Sequence, residues 1–589
     1  MTRKNALLNL AVILGLLVLL LFFFRPVILG GKTLLPLDNL FAFQPWQAFA
    51  AQFGIGVPHN ELLSDLILEN YVWKRLIVQA LKGRQLPLWN PYILSGQPFL
   101  ATGQHSALYP LSLIFYILPL VKAYGYFTVL QLFLAGLFMY IYTRTIRLER
   151  IGSMVAAIVY PFSGFMIVSV VHPMIIAAAS WLPLLLATVE CLIRTQEEQA
   201  AGQKAKPVAY IPWIAFGAVA FGLFLAGHVE IAYYVVLVTA FYAICRLGVL
   251  WWHNHDWLQL AKLGLGVALL LVLGIGLAAV QMVPLYELVR ENFRQESATY
   301  QQIIGWAYPW RRLIAFLVPD FFGNPAHHSY FDVFSRQTVT ALRNAQGMPI
   351  RTIYWDVKNY VEGGSYVGIL PLLLALLALW KSRTRYVWIF LSLAVISLLF
   401  VFGTPLYAVL YYLLPGIEQL HSPFRWIFPY TLSVSILAGC GASWLASEAS
   451  HRRMHFACWL GALAFGLGIL GLAALALSLH FPQAVTALAG RAMSSLAQAA
   501  EAFADGQAFY SYQFRNFLIF FLALCGAGLT LLLSRTRLHL GKAALWQLLA
   551  LVVIVTELFT IGMHFNPAAD AAILEFEPAV VTFLRQDKE

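Results

Sequence analysis

Two carboxylate arrangements near the start of the chain could do chemistry. Asp38, in PLDNL (Pro36 to Leu40), follows the first apolar run closely. A carboxylate facing a cleft at a membrane surface can act as general base toward a hydroxyl, whereas a solvated aspartate or an Asx-turn with Asn39 would have no chemical role. Asp65 and Glu69 stand one helical turn apart, so they share a face that could hold a cation or supply a second acid–base group. The run PLWNPYILSGQPFLA (Pro87 to Ala101) joins X-Pro turns to aromatic residues. That pattern suits an ordered loop presenting Trp89, Asn90 and Tyr92 to a sugar or headgroup, and equally a turn-rich packing wall. GHVEIAYY (Gly227 to Tyr234) sets His228 and Glu230 between two apolar runs, where ionisable groups are costly and mark functional sites. Arg425, between Pro423 and another apolar run, would either grip a phosphate with its planar fork or anchor its helix at the membrane surface. No HExxH, CxxC, Walker loop or GxSxG elbow occurs, which leaves metalloprotease, thiol-redox, ATPase and serine-hydrolase readings without support.

The elements that must position these residues are membrane spans. Of 589 residues, 60% are hydrophobic and 11% charged, with a mean hydropathy of +0.74, against roughly 25% charged residues in a soluble domain. Apolar runs over 6–24, 124–142, 151–171, 174–193, 208–226, 231–244, 263–285, 366–380, 387–402, 426–446, 456–479, 514–533 and 544–563 predict an all-α polytopic membrane protein of about thirteen spans. The chain divides into the first span (1–24), a first external loop with interfacial helices (25–123), a transmembrane bundle (124–285), a second external loop (286–365), C-terminal spans (366–565) and a short external tail (566–589). Arg3 and Lys4 before the first span place the N-terminus in the cytoplasm and the first loop outside. In that loop, apolar periodicity from Glu61 to Lys82, with Asn60 as N-cap, predicts an amphipathic helix. Part of the +11 formal charge falls in short cytoplasmic loops. Lys74, Arg75, Lys82, Arg84, Arg290, Arg294, Arg311, Arg312, Arg343, Arg351 and Arg425 fall outside and suggest an anionic ligand there. No basic stripe on a soluble domain points to nucleic acid. The five cysteines lie in or at the ends of apolar runs and read as small core hydrophobes.

With GQHSALYPL (Gly103 to Leu111), LVPDFFGN (Leu317 to Asn324), GGSYVGILPLLLA (Gly363 to Ala375), GTPLY (Gly403 to Tyr407) and HSPFRW (His421 to Trp426), these motifs resemble, in content and order, the bacterial YfhO membrane-protein family. The resemblance implies a bundle like that of the GT-C glycosyltransferase superfamily, with a structured first external loop. It implies transfer of a sugar from a polyprenyl-phosphate donor to a cell-envelope glycopolymer or glycolipid on the external face of the bacterial cytoplasmic membrane. Membrane lipids would be the surrounding partner. No cofactor is required by that chemistry, and a divalent cation on Asp65 and Glu69 is compatible with it. Carried over by position, Asp38 and Asp65 are the candidate catalytic acids, Asp38 first. Glu69, Trp89, Asn90, Tyr92, Gln104, His105, His228, Glu230, His421 and Arg425 are the candidate substrate contacts, with His421 standing where a first arginine is expected. A transporter or flippase of lipid-linked saccharides and a non-catalytic assembly scaffold are the competing readings. Few charges inside the spans and no repeated pair of broken segments count against transport.

Overall fold

The computed structural model describes residues 3–200, 210–291, 298–381, 384–420, 423–447, 455–536, 538–541 and 543–586. Among them, ten helices are long and apolar enough to cross a membrane, and Tyr210–Gly222, Ile369–Trp380 and Arg385–Val401 are shorter apolar helices. Every predicted span overlaps one of these helices; Ile369–Lys381 and Arg385–Val401, at 13 and 17 residues, fall short of the length that made the count thirteen, whereas the helix beginning at Tyr210 continues to Gly227. The chain is a multi-pass, almost wholly helical membrane protein.

The centre of the bundle is built from α1 (Arg150–Phe162), α2 (Pro173–Ala200) and α3 (Ile427–Ala446). The α3 span is 94% buried, whereas the first span of the chain is 17% buried, so that first helix lies at the bundle's rim. Close approach at the centre depends on glycine. A Cβ on Gly152 of α1 would lie 2.2 Å from the Gly439 carbonyl of α3, and one on Gly441 would lie 2.0 Å from the Leu374 carbonyl. Small residues let backbones meet where lipid offers no hydrophobic drive between helices. A peripheral pair, α4 (His455–Ser478) and α5 (Gly506–Leu533), packs through Gly461 and Gly528 in the same manner. Cys440 is buried, the other four cysteines are half-buried, and all five are free thiols.

The long loops gather at one end of the bundle. In the first, the predicted Glu61–Lys82 helix is broken into a 3-10 turn (Glu61–Leu63), a π turn (Leu66–Asn70) and an α-helix over Tyr71–Lys82. Asn60 does cap the start, its side chain accepting from Leu62 N at 3.2 Å. The C-terminal segment folds back onto this loop: Thr33 and Ala569 exchange two backbone hydrogen bonds of 3.0 Å, and Phe49 and Phe53 pack on Phe576. The second loop carries short antiparallel pairs, Gly323–Asn324 with Ile353–Tyr354 and Ser329–Asp332 with Gln337–Thr340. It is joined to the first by Arg351–Glu61 at 2.9 Å and by His328 Nε2 on the His59 carbonyl at 2.9 Å.

Gly152→Ala should therefore destabilise the bundle by about 1–3 kcal/mol through overpacking. Gly248→Ala, at a helical position with nothing within 4 Å of the added Cβ, should be neutral or slightly stabilising. Thermal unfolding in detergent distinguishes the two.

Candidate functional site

A cavity of about 860 Å³ opens at the loop end of the bundle, lined by Asp65, Glu69, Asn70, Trp73, Gln104, His172, His228, Glu230, Glu418 and Arg425 among others. Asp65 immediately precedes the π turn (Leu66–Asn70) and Glu69 lies within it, one turn on, so both line the cavity. The turn is fastened to the bundle by Tyr124, whose hydroxyl donates to Asn70 Oδ1 at 2.8 Å. The cavity walls desolvate both carboxyls and push their pKa values up, Glu69 further under the charge of Asp65. That direction favours a general base working near neutral pH.

Across the cavity, His228 caps the helix Val229–Asn254, its Nδ1 accepting from Ile231 N at 3.2 Å. This bond leaves Nε2 as the protonated nitrogen of the neutral ring. Burial first, and then the charge of Arg425, hold His228 down to about 3, so it is a neutral donor at physiological pH. Arg425 stands in a 3-10 turn, Pro423–Trp426, at the mouth of α3. Its Nε lies 3.7 Å from Glu230 Oε2, too far for a hydrogen bond. Both Arg425 Nε and Glu230 Oε1 are buried without a hydrogen-bond partner. A buried pair this incompletely satisfied retains capacity for a ligand.

Asp65, Glu69, Gln104, His228, Glu230 and Arg425 thus share one cavity. Asp38 is in another, of about 390 Å³, where its Oδ2 accepts from His59 N at 2.5 Å. The two aspartates are linked only through neighbours, Asn39 Nδ2 donating to Ser64 Oγ at 3.0 Å. Trp89 and Asn90 form a hairpin with Gln97–Pro98. Asn90 is buried and its Oδ1 takes Tyr92 N at 3.0 Å, while the Trp89 indole covers Gly96, where a Cβ would come within 2.6 Å of the ring. Tyr92 is 77% exposed. None of the three lines the 860 Å³ cavity.

His105 is also outside it: buried, stacked on Phe99, with Nε2 donating to the Phe99 and Leu100 carbonyls and Nδ1 accepting from Ala107 N. Both ring nitrogens are occupied by backbone, so its place is in the packing of the loop. His421 falls outside the described residues. Sequence reasoning passed over His172, Trp73 and Glu418. His172, a lone ionisable residue between two apolar runs in VVHPM, carried the same signal as His228.

The external cations do not converge. Lys74 is buried on the His105 carbonyl, Arg311 and Arg312 pair with Asp356, Arg351 with Glu61, and Arg343 bonds the Gly347 carbonyl. Arg294 lies outside the described residues. Of these cations Arg425 alone lines the large cavity, facing four carboxylates. The cavity is acidic, against the expectation of a generally anion-binding surface. Carboxylates, Gln104 and Trp73 make it a setting for hydroxyl groups, with anion binding confined to the Arg425 and His228 side. Among the described residues, no group of three or more His, Cys, Asp or Glu could hold a metal ion.

Ten long apolar helices among the described residues, with a polar cavity at their loop end, define a multi-pass membrane protein. The family described as "Bacterial membrane protein YfhO" has a model that matches residues 104–334, a stretch holding Gln104, His105, His172, His228 and Glu230. No curated protein matches the chain. Among solved structures, the archaeal oligosaccharyltransferase AglB from Archaeoglobus fulgidus, in complex with an inhibitory peptide and a dolichol-phosphate, is similar at 12% identity with a TM-score of 0.35. The match covers 77% of this chain and 52% of that one, so the chain spans about half the length of that enzyme.

Lys74 gives the site's scaffold a pH dependence. Burial lowers its pKa from 10.5 to about 7, so between these values the unfolded chain binds the proton and the folded one does not. Stability should fall as pH drops from about 10 to about 7, by at most about 1.4 kcal/mol per pH unit, and level off below. Lys74→Met should flatten that segment of the Tm–pH curve relative to the parent protein.

Proposed function

We propose that the chain is a GT-C-type membrane glycosyltransferase that moves a sugar from a polyprenyl-phosphate donor to an envelope glycopolymer or glycolipid, with the loop end facing outward. The observation carrying this reading is the single cavity at the mouth of the spans that sets Asp65 and Glu69 against Arg425 and His228. The donor enters from the bilayer with its phosphate against the Arg425 guanidinium and the His228 Nε2–H. Asp65 takes the proton of the acceptor hydroxyl as that oxygen bonds to the anomeric carbon. The bond from that carbon to the phosphate oxygen breaks, its electron pair leaving with the phosphate, and the anomeric centre inverts. Burial raises the basicity of Asp65. The acidic wall binds sugar hydroxyls, and holding both reactants in one cavity supplies much of the rate. Arginine and histidine donors meet the charge of a monophosphate leaving group, so the chemistry does not require a divalent cation.

Asp38 comes second as base because it opens onto a different cavity. Purified protein with a short-chain polyprenyl-phosphate sugar tests the assignment. Asp65→Asn should lower kcat by about 100-fold or more, and Asp38→Asn should retain most transfer. The acid limb of the parent rate profile should lie above 3.8, the ordinary aspartate value. Arg425→Lys should weaken apparent donor affinity and Arg425→Ala weaken it further. Full transfer by Asp65→Asn would remove that residue from the mechanism, and loss of transfer in Asp38→Asn with normal folding would move the base to the smaller cavity.

A further inference from the structure

The smaller cavity has a chemistry of its own. It lies between the last turn of the first span, with Phe23, Phe24 and Arg25, the start of the first loop at Asp38 and His59, and the segment following the final span, with His564 and Asn566. Asn566 is 91% buried by its 9% relative exposure. Its Nδ2 donates to the Ile167 carbonyl at 3.0 Å, which fixes the amide so that Oδ1 is the free acceptor. Asn566 Oδ1 and Asp38 Oδ1 are both buried without a hydrogen-bond partner. Two orphaned acceptors beside one cavity call for a ligand that donates hydrogen bonds.

Charge narrows the class. His59 is held below its ordinary pKa by burial, against the opposing pull of Asp38, and its Nε2 donates to the His564 carbonyl at 2.9 Å. The carboxylate and the guanidinium lining the cavity are Asp38 and Arg25. Arg25 is exposed at the end of the first span and stacks over Phe22 at 4.6 Å. The remaining wall is apolar, from Phe23, Phe24, Val27 and Leu34 to Ile573, and begins where the span leaves the membrane.

We infer that this cavity binds the headgroup of a zwitterionic aminophospholipid, its phosphodiester at Arg25 and its ammonium at Asp38 and Asn566, with an acyl chain along the aromatic wall. A primary ammonium has three N–H donors, enough for both orphaned oxygens, and the phosphate meets the cation at the rim. A choline headgroup has no N–H to give, and a glycerol headgroup leaves the charge of Asp38 unopposed. The inference is independent of the transfer reaction, because it concerns binding alone.

Native mass spectrometry of the full chain, released from nanodiscs of phosphatidylethanolamine mixed equally with phosphatidylcholine or phosphatidylglycerol, tests it. Retained phosphatidylethanolamine should exceed either competitor, and Asp38→Ala and Arg25→Gln should each reduce it about tenfold or more. Arg25 is exposed, so its variant reports even if Asp38→Ala fails to fold. Arg425→Ala should leave this lipid in place. Equal retention of phosphatidylcholine or phosphatidylglycerol, unchanged retention in Arg25→Gln, or equal displacement by soluble glycerophosphoethanolamine would overturn the assignment.

Discussion

Desolvation of charge sets the terms on which this bundle can hold ionisable side chains, and the two ends of the helices meet them differently. At the end opposite the long loops, Glu190 and Arg246 are fully buried and joined at 2.7 and 3.0 Å. The carboxylate also accepts from Tyr242 and Tyr386, each at 2.6 Å. Four hydrogen bonds saturate Glu190, which is what a buried carboxylate needs to be tolerated, and Arg246 is left with Nη1 unpartnered. At the loop end, Glu230 and Arg425 stand 3.7 Å apart with an oxygen and a nitrogen unpartnered. The Glu190 cluster ties helices together. The Glu230–Arg425 pair keeps hydrogen-bonding capacity on both partners, and it does so beside the largest cavity described.

That cavity joins groups of opposite chemical use. Carboxylates with raised pKa values suit proton acceptance and hydroxyl recognition, while a guanidinium and a neutral imidazole N–H suit an oxyanion. Asp65 and Glu69 come from the first loop, Glu230 and Arg425 from the mouths of spans, so the arrangement exists only when loop and bundle are docked. Tyr124 on Asn70 is the hydrogen bond nearest to that docking, and it comes from a helix that also packs against α1 and α2.

The spans were legible because an apolar run long enough to cross a membrane has few other uses. Ile369–Lys381 and Arg385–Val401 are apolar enough yet shorter, and composition alone does not reveal where a helix stops. Asp65, Glu69, His228, Glu230 and Arg425 were legible as ionisable residues at span mouths or on one helical face. Their meeting in one cavity was not, since it depends on the folding of segments hundreds of residues apart. The π turn was hidden for a related reason: apolar periodicity at 3.6 residues scarcely registers one widened turn. The loop cations misled because position in an external loop does not say which partner a side chain will find. Arg351 found Glu61 and Arg312 found Asp356, and each left the pool of anion-binding groups.

Adjacent residues Gln104 and His105 show how closely the site and its scaffold are interleaved. Gln104 faces the cavity, while His105 turns inward and fills both ring nitrogens with backbone. The His105 carbonyl accepts from Lys74 Nζ at 2.5 Å, and that amine also lies 4.6 Å from the centroid of Phe115. Lys74 belongs to the helix that continues directly from the π turn, which follows Asp65 and bears Glu69. One buried amine therefore holds the helix of the acids to the loop that carries Gln104, so the spacing between those walls of the cavity depends on a contact outside it. A neutral amine costs less to bury than an ammonium, which is why burial lowers the pKa of Lys74 and why the loop can keep a lysine there at all.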